Sequence, residues 1–140
     1  MRVNSTRVWI GGVAGGVVWL LWSIFINLRL GNARYEAMQA AGIFLKQPRY
    51  PFFMATWTIM LFVMAILLAY LYAWTRDTLG AGPRTALKIG MIVGFFAGFP
   101  DNFGQATWSA APRVFPLAWM LEMWVGCILA TLVAGYIYKE

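Results

Sequence analysis

The sequence predicts an all-α membrane protein: four transmembrane helices in an up-down bundle, with a short interfacial amphipathic helix between the first and the second. Three observations carry this. Of the 140 residues, 61% are hydrophobic and 11% charged, where a soluble domain carries about 25% charge. Four apolar runs reach or approach the roughly 20 residues that cross a hydrocarbon core about 30 Å thick. Cations, glycines and prolines punctuate those runs, and 8 Trp and 6 Tyr supply side chains suited to two water–lipid interfaces. Residues 1–140 therefore read as a single four-helix transmembrane domain.

Span 1 covers residues 8–28. Its basic start (MRVNSTR) has the outline of a signal peptide, but the apolar run exceeds a signal core and no clean A-x-A site follows, so the expectation is a retained span. Gly11, Gly12, Gly15 and Gly16 make two overlapping G-x-x-x-G pairs near its start, and Asn27 and Arg29 close it. In the long connection that follows, Tyr35, Met38, Ala41 and Leu45 recur at helical spacing opposite Arg34, Glu36 and Gln39. That pattern suits a helix lying on the membrane surface. Gly42 is expected to end it, and Pro48 and Pro51 to straighten the chain.

Span 2, residues 52–74, carries only Thr56 and Thr58 as polar residues and reads as a lipid-facing wall. The segment TRDTLGAGPRT is expected to be a tight turn held at the surface by Arg76, Arg84 and Lys88. Span 3, residues 85–109, places Gly90, Gly94 and Gly98 on one i, i+4 stripe that lets a neighbouring backbone approach closely. Pro100 then interrupts the apolar run and, by removing the bond to the Phe96 carbonyl, is expected to kink the helix before Asp101, Asn102, Gln105 and Thr107. At 1.5 Å per residue Pro100 lies about 18 Å beyond Lys88, past the middle of the bilayer. Span 4, residues 116–138, follows Pro112, Arg113 and Pro116 and ends in Lys139 and Glu140.

Spans 1 and 3 run parallel with their glycines at similar depth, so packing of span 1 on span 3 accounts for both sets. A flat cofactor or lipid seated on the small residues is the alternative. Span 4 adds Ala118, Gly126, Ala130 and Ala134 on one row. Glu122 shares that row and so points into the bundle, about 9 Å inside Pro116. A carboxylate at that depth is paired or protonated, with Arg113, Asn27, Arg29, Thr56 and Thr107 as candidate partners.

One side of the membrane collects the end of span 1, the start of span 2, the end of span 3 and the start of span 4. Asn27, Arg29, Thr56, Asp101, Asn102, Gln105, Arg113 and Glu122 are therefore expected to form a polar intramembrane cluster, with Trp57, Trp108 and Trp119 lining a pocket or half-channel. Two structural readings stand beside it. In one, Asp101 pairs with Arg113 and Glu122 with Arg29, tying helices together. In the other, residues 101–105 are an interface loop.

Several functions are disfavoured. The chain holds no histidine and one cysteine, Cys127, so it offers no ordinary haem, zinc or di-iron ligand set and no intramolecular disulfide. No G-x-S-x-G, H-E-x-x-H or P-loop occurs. Asp101 and Glu122 could make an aspartyl dyad, but the expectation is a non-enzyme without a cofactor. The net charge of +6 comes from cations scattered at span ends, which suits anionic lipid headgroups rather than nucleic acid. Six Lys and Arg flank the N-terminal side against five on the other, placing both termini in the cytoplasm by a narrow margin.

The Gly-rich first span ending N-L-R-L-G (residues 27–31), the segment 37–42, L-Y-A-W-T-R (71–76), G-A-G-P-R-T-A-L-K-I-G (80–90) and a last span with Glu122 closing A-G-Y-I-Y-K-E (134–140) together resemble an uncharacterised family of small four-span bacterial integral membrane proteins. The resemblance implies four helices and a bacterial inner (cytoplasmic) membrane, and brings no activity. The functional expectation is a small accessory or scaffold subunit that packs against other integral membrane subunits of a larger complex and its lipids or pigments. The alternative is a small proton- or cation-coupled transporter or channel, working as a homo-oligomer, with Asp101 and Glu122 as coupling groups.

Overall fold

The computed structural model describes residues 3–138. Arg2, part of the charge count, and the closing Lys139 and Glu140 lie outside the described residues. Among those described, all regular structure is helical: α1 (Ser5–Leu30), α2 (Asn32–Ala40), α3 (Phe53–Leu79), α4 (Pro83–Trp108) and α5 (Val114–Ile137).

The ends follow from local chemistry. The Asn4 side chain caps α1 by accepting from the Arg7 amide at 3.1 Å. Gly31, at φ 79°, takes the left-handed conformation that turns the chain out of α1 and into α2. Pro83 opens α4, where its missing N–H costs nothing.

Two elements differ from the sequence expectation. Residues 75–79 continue α3, so the turn shrinks to Gly80, Ala81 and Gly82. α2 ends at Ala40, which takes Ala41 and Leu45 off its face. The backbone reverses through Gly42 (φ 74°), with the Ile43 amide donating to the Met38 carbonyl at 2.9 Å. α4 runs on through Pro100 to Trp108, with residues 101–105 helical rather than an interface loop. One missing hydrogen bond is not enough to end a helix packed along its length against a neighbour.

Three helices, α1, α3 and α5, are long and apolar enough to cross a membrane. α4 is as long but falls short in composition, because Arg84, Lys88, Asp101, Asn102 and Gln105 dilute its apolar stretch. Four expected spans thus reduce to three on this criterion.

The small residues set the packing. A Cβ at Gly90 would come within 2.6 Å of the Ile128 Cα, one at Gly94 within 2.7 Å of the Trp124 carbonyl oxygen, and one at Gly98 within 2.8 Å of the Met120 carbonyl oxygen. The falling partner numbers show that α4 and α5 are antiparallel. On α1, Gly11 and Gly15 face α5 at Ala134 and Ala130, while Gly12 and Gly16 face α3 at Ile66 and Phe62. Two adjacent stripes on one helix thus serve two antiparallel neighbours.

This corrects the expected packing of span 1 on span 3. Among the described residues the backbones of α1 and α4 do not approach each other; α5 packs against both. The glycines of both spans pack closely, but each set against a third helix. Gly126 has a different role, since it makes room for the Trp19 indole, fully buried between α1 and α5. α3 is half wall and half core: Leu61, Ala65, Leu68, Ala69 and Tyr72 are buried, whereas Ile59, Val63 and Leu67 face outward.

The end of the bundle away from Gly31 is tied through Tyr138. The Tyr138 hydroxyl accepts from the Asn4 amide at 2.9 Å, and Arg76 donates to the Tyr138 carbonyl at 3.0 Å with its guanidinium 5.1 Å from the ring centre. Tyr138→Phe removes one of these bonds and is expected to cost about 1 kcal/mol, read as a lower midpoint of thermal unfolding in detergent. An unchanged midpoint would show that the corner is incidental.

Candidate functional site

At the Gly31 end of the bundle the helices part around a cavity of about 600 Å³. α1 contributes Ser23 and Asn27, one turn apart on one face. α2 brings Tyr35 over the top. The first turns of α3 supply Phe53, Met54, Trp57 and Met60. Ala97, Asp101, Asn102 and Gln105 come from the second half of α4, and Trp119, Glu122 and Met123 from the first half of α5.

Five of the eight residues expected to cluster line this space: Asn27, Asp101, Asn102, Gln105 and Glu122. Arg29, Thr56 and Arg113 do not; all three are exposed. The cause is angular. Arg29 is two positions from Asn27, about 200° around the helix, and Thr56 is about 100° from Trp57. Arg113 precedes α5 by one residue and lies about 13 Å along the axis from Glu122. Trp57 and Trp119 line the cavity, but Trp108 is 88% exposed outside it.

Glu122 forms the inner wall and is 3% exposed. Its carboxylate accepts from the Ser23 hydroxyl and, at 3.4 Å, from the Asn27 amide, and the Trp57 indole N–H also faces it. The same Asn27 amide donates to the Ser23 carbonyl at 2.9 Å, while its oxygen accepts from the Tyr35 hydroxyl at 3.0 Å. The network therefore fixes which way the amide points. One bond away, the Trp19 indole donates to the Glu122 backbone carbonyl at 3.2 Å, anchoring that turn of α5 to α1.

The other acid behaves differently. Asp101 is exposed at the mouth and accepts from Gln105 one turn on, at 2.9 Å. Asn102 is buried and donates to the Gly98 carbonyl at 2.8 Å. Asp101 and Gln105 also border a second, more open hollow beside Pro100 and Trp108. The two ion pairs considered from sequence are thus replaced by neutral partners: Ser23 and Asn27 for Glu122, Gln105 for Asp101.

Tyr35 closes the roof by stacking edge-on against Phe115, with centres 5.1 Å apart, and Phe44 packs on the same ring at 5.0 Å. Burial raises the Tyr35 phenol above its ordinary value, the Trp119 indole opposes this, and the Glu122 charge adds to it. The phenol therefore remains a neutral donor to Asn27.

Sequence reading missed Ser23 and Tyr35. Ser23 had a signal, since it lies four residues before Asn27 and must share its face. Tyr35 had none, because its position depends on the turn at Gly31. What the lining offers is recognition: neutral donors, two carboxylates, aromatic walls and thioethers around a space of ligand size. Comparison with family models, with curated proteins and with solved structures finds no match to this chain.

Proposed function

We propose that the protein is a small accessory subunit of a membrane complex that holds an amphipathic ligand, a lipid or a pigment, in the cavity at the Gly31 end of its bundle. The observation that carries this is the cavity itself. Its volume of about 600 Å³ falls within the roughly 300–1,000 Å³ of small-molecule sites. Polar groups of α1 and α4 and Glu122 of α5 occupy part of the lining, and Met and aromatic side chains of α2, α3 and α5 most of the rest.

In this reading α4 is a fourth span. Its polar C-terminal third is tolerated because Asp101, Asn102 and Gln105 face the cavity and Gly90, Gly94 and Gly98 lie against α5. α2 rests at the membrane surface, its outer side polar and Tyr35 turned inward. Both termini face the cytoplasm of a bacterial inner membrane, and the exposed apolar rows of α1 and α3 meet lipid or neighbouring subunits. No step of this role calls for catalysis.

Purification from native membranes in mild detergent, followed by mass spectrometry, tests it. The expected result is co-purification of larger membrane subunits together with a retained amphiphile. Ala97→Phe, which fills the cavity from its α4 wall, should release that amphiphile while the helical signal persists. A bare, stable monomer without bound amphiphile would overturn the proposal.

A second reading, a small cation- or proton-coupled transporter, is favoured by one observation: Asp101 at the mouth and Glu122 at the inner wall border the same cavity. In reconstituted vesicles it requires flux that Glu122→Gln abolishes. Flux unaltered by that change would reject it.

A further inference from the structure

Resting on the reading of the cavity as a ligand site, we propose that its ligand is a hydrophobic organic cation, an ammonium or a group of similar charge and bulk, with Glu122 as its counter-ion. The chain carries 11 Lys and Arg against 5 Asp and Glu. Among the residues lining the cavity this balance is reversed: two acids, Asp101 and Glu122, and no Lys or Arg. An anionic headgroup would meet repulsion at the mouth and again at the inner wall.

The contacts of Glu122 point the same way. Ser23 and Asn27 are neutral donors. They orient the carboxylate and satisfy its oxygens, yet cancel none of its charge, and a buried charge is tolerated when a counter-charge accompanies it. The lining supplies no such cation, so a cationic ligand would complete the pair, in place of the proton that otherwise neutralises a carboxylate at this depth. The ligand's charge would lie among three aromatic side chains, Tyr35, Trp57 and Trp119, whose ring faces attract cations most strongly where water is excluded. Met54, Met60 and Met123 supply the apolar end. Thioether side chains adapt to irregular shapes, so the body of the ligand is less strictly specified than its charge.

The test uses the full chain in nanodiscs of zwitterionic lipid and three rigid probes of related shape: tetraphenylphosphonium, tetraphenylborate and neutral triphenylphosphine oxide. Equilibrium dialysis should show saturable, one-to-one binding of the phosphonium alone. Glu122→Gln should weaken it about ten-fold or more, on the scale expected when a buried charge partner is lost. Trp57→Leu should weaken it several-fold. If Glu122→Gln does not fold, Asp101→Asn at the exposed mouth serves instead and should lower affinity about two- to five-fold through the longer-range attraction. Equal binding of the neutral and cationic probes, or phosphonium binding untouched by Glu122→Gln and Asp101→Asn, would overturn the cation assignment and leave the cavity a site for uncharged amphiphiles. Saturable binding of none of the three, with no native amphiphile retained, would overturn both proposals.

Discussion

A Gly94→Val variant should fail to form the native α4–α5 seam. The added Cβ would come within 2.7 Å of the Trp124 carbonyl oxygen and 3.1 Å of the Cys127 Cβ. A carbonyl in mid-helix cannot rotate aside, so the helices must separate. Overpacking commonly costs about 1–3 kcal/mol, more where backbone is the obstacle. Separation would also loosen Gly90 and Gly98, whose neighbours are backbone atoms too. The expected loss is about 3 kcal/mol or more, a large share of a total stability of roughly 5–15 kcal/mol. Thermal unfolding in detergent, followed by circular dichroism, would measure it. Gly104 on the same helix is the control: nothing lies within 4 Å of its Cβ position, so Gly104→Ala should be neutral or gain up to about 1 kcal/mol from the helix backbone. Equal behaviour of the two variants would mean that the seam is not close-packed.

Trp19 and Gly126 should prove energetically coupled. Trp19 is fully buried, lies over the Gly126 backbone, and donates to the Glu122 carbonyl. Trp19→Ala empties that space and is expected to cost about 3–5 kcal/mol. Inside a membrane this loss is one of packing, because lipid is as apolar as the core. Gly126→Ala alone should cost about 1–3 kcal/mol, since its methyl would overlap the indole. Placed in a Trp19→Leu background, the same alanine should cost far less. A non-additivity within about 0.5–3 kcal/mol is the expected signature of direct contact. Strict additivity would show that the two positions do not meet.

Some of this architecture is legible in the chain without coordinates. The positions of the long helices follow from apolar run length and from Gly and Pro at their ends. The helix ends were less well marked: five residues read as turn, 75–79, belong to α3. Leu79, the last of them, is succeeded by Gly80, which takes a left-handed φ of 86°. Local polarity suggests a turn in this segment, but the helical hydrogen bonds hold until the chain can leave. At the candidate site, helical periodicity placed Glu122 on the inward row of Gly126, Ala130 and Ala134, and all four are buried. Side-of-membrane reasoning alone was too coarse for Arg29 and Thr56, because it ignores the angle around each helix, and for Arg113, which lies before α5 and too far along its axis from Glu122.

The sequence by itself determined which faces must be approached closely: a residue without a side chain lets a neighbouring backbone or ring come within van der Waals contact of its own backbone, so the glycine stripes mark close contacts wherever they fall. It could not say which helix would fill each stripe. α1 carries two stripes and α4 one, and several pairings satisfy them equally in one dimension. Tertiary structure decided the matter by placing α5 between α1 and α4 and by giving the second stripe of α1 to α3. That arrangement in turn spread the helix ends apart at one pole, and the cavity around Glu122 is the space they leave.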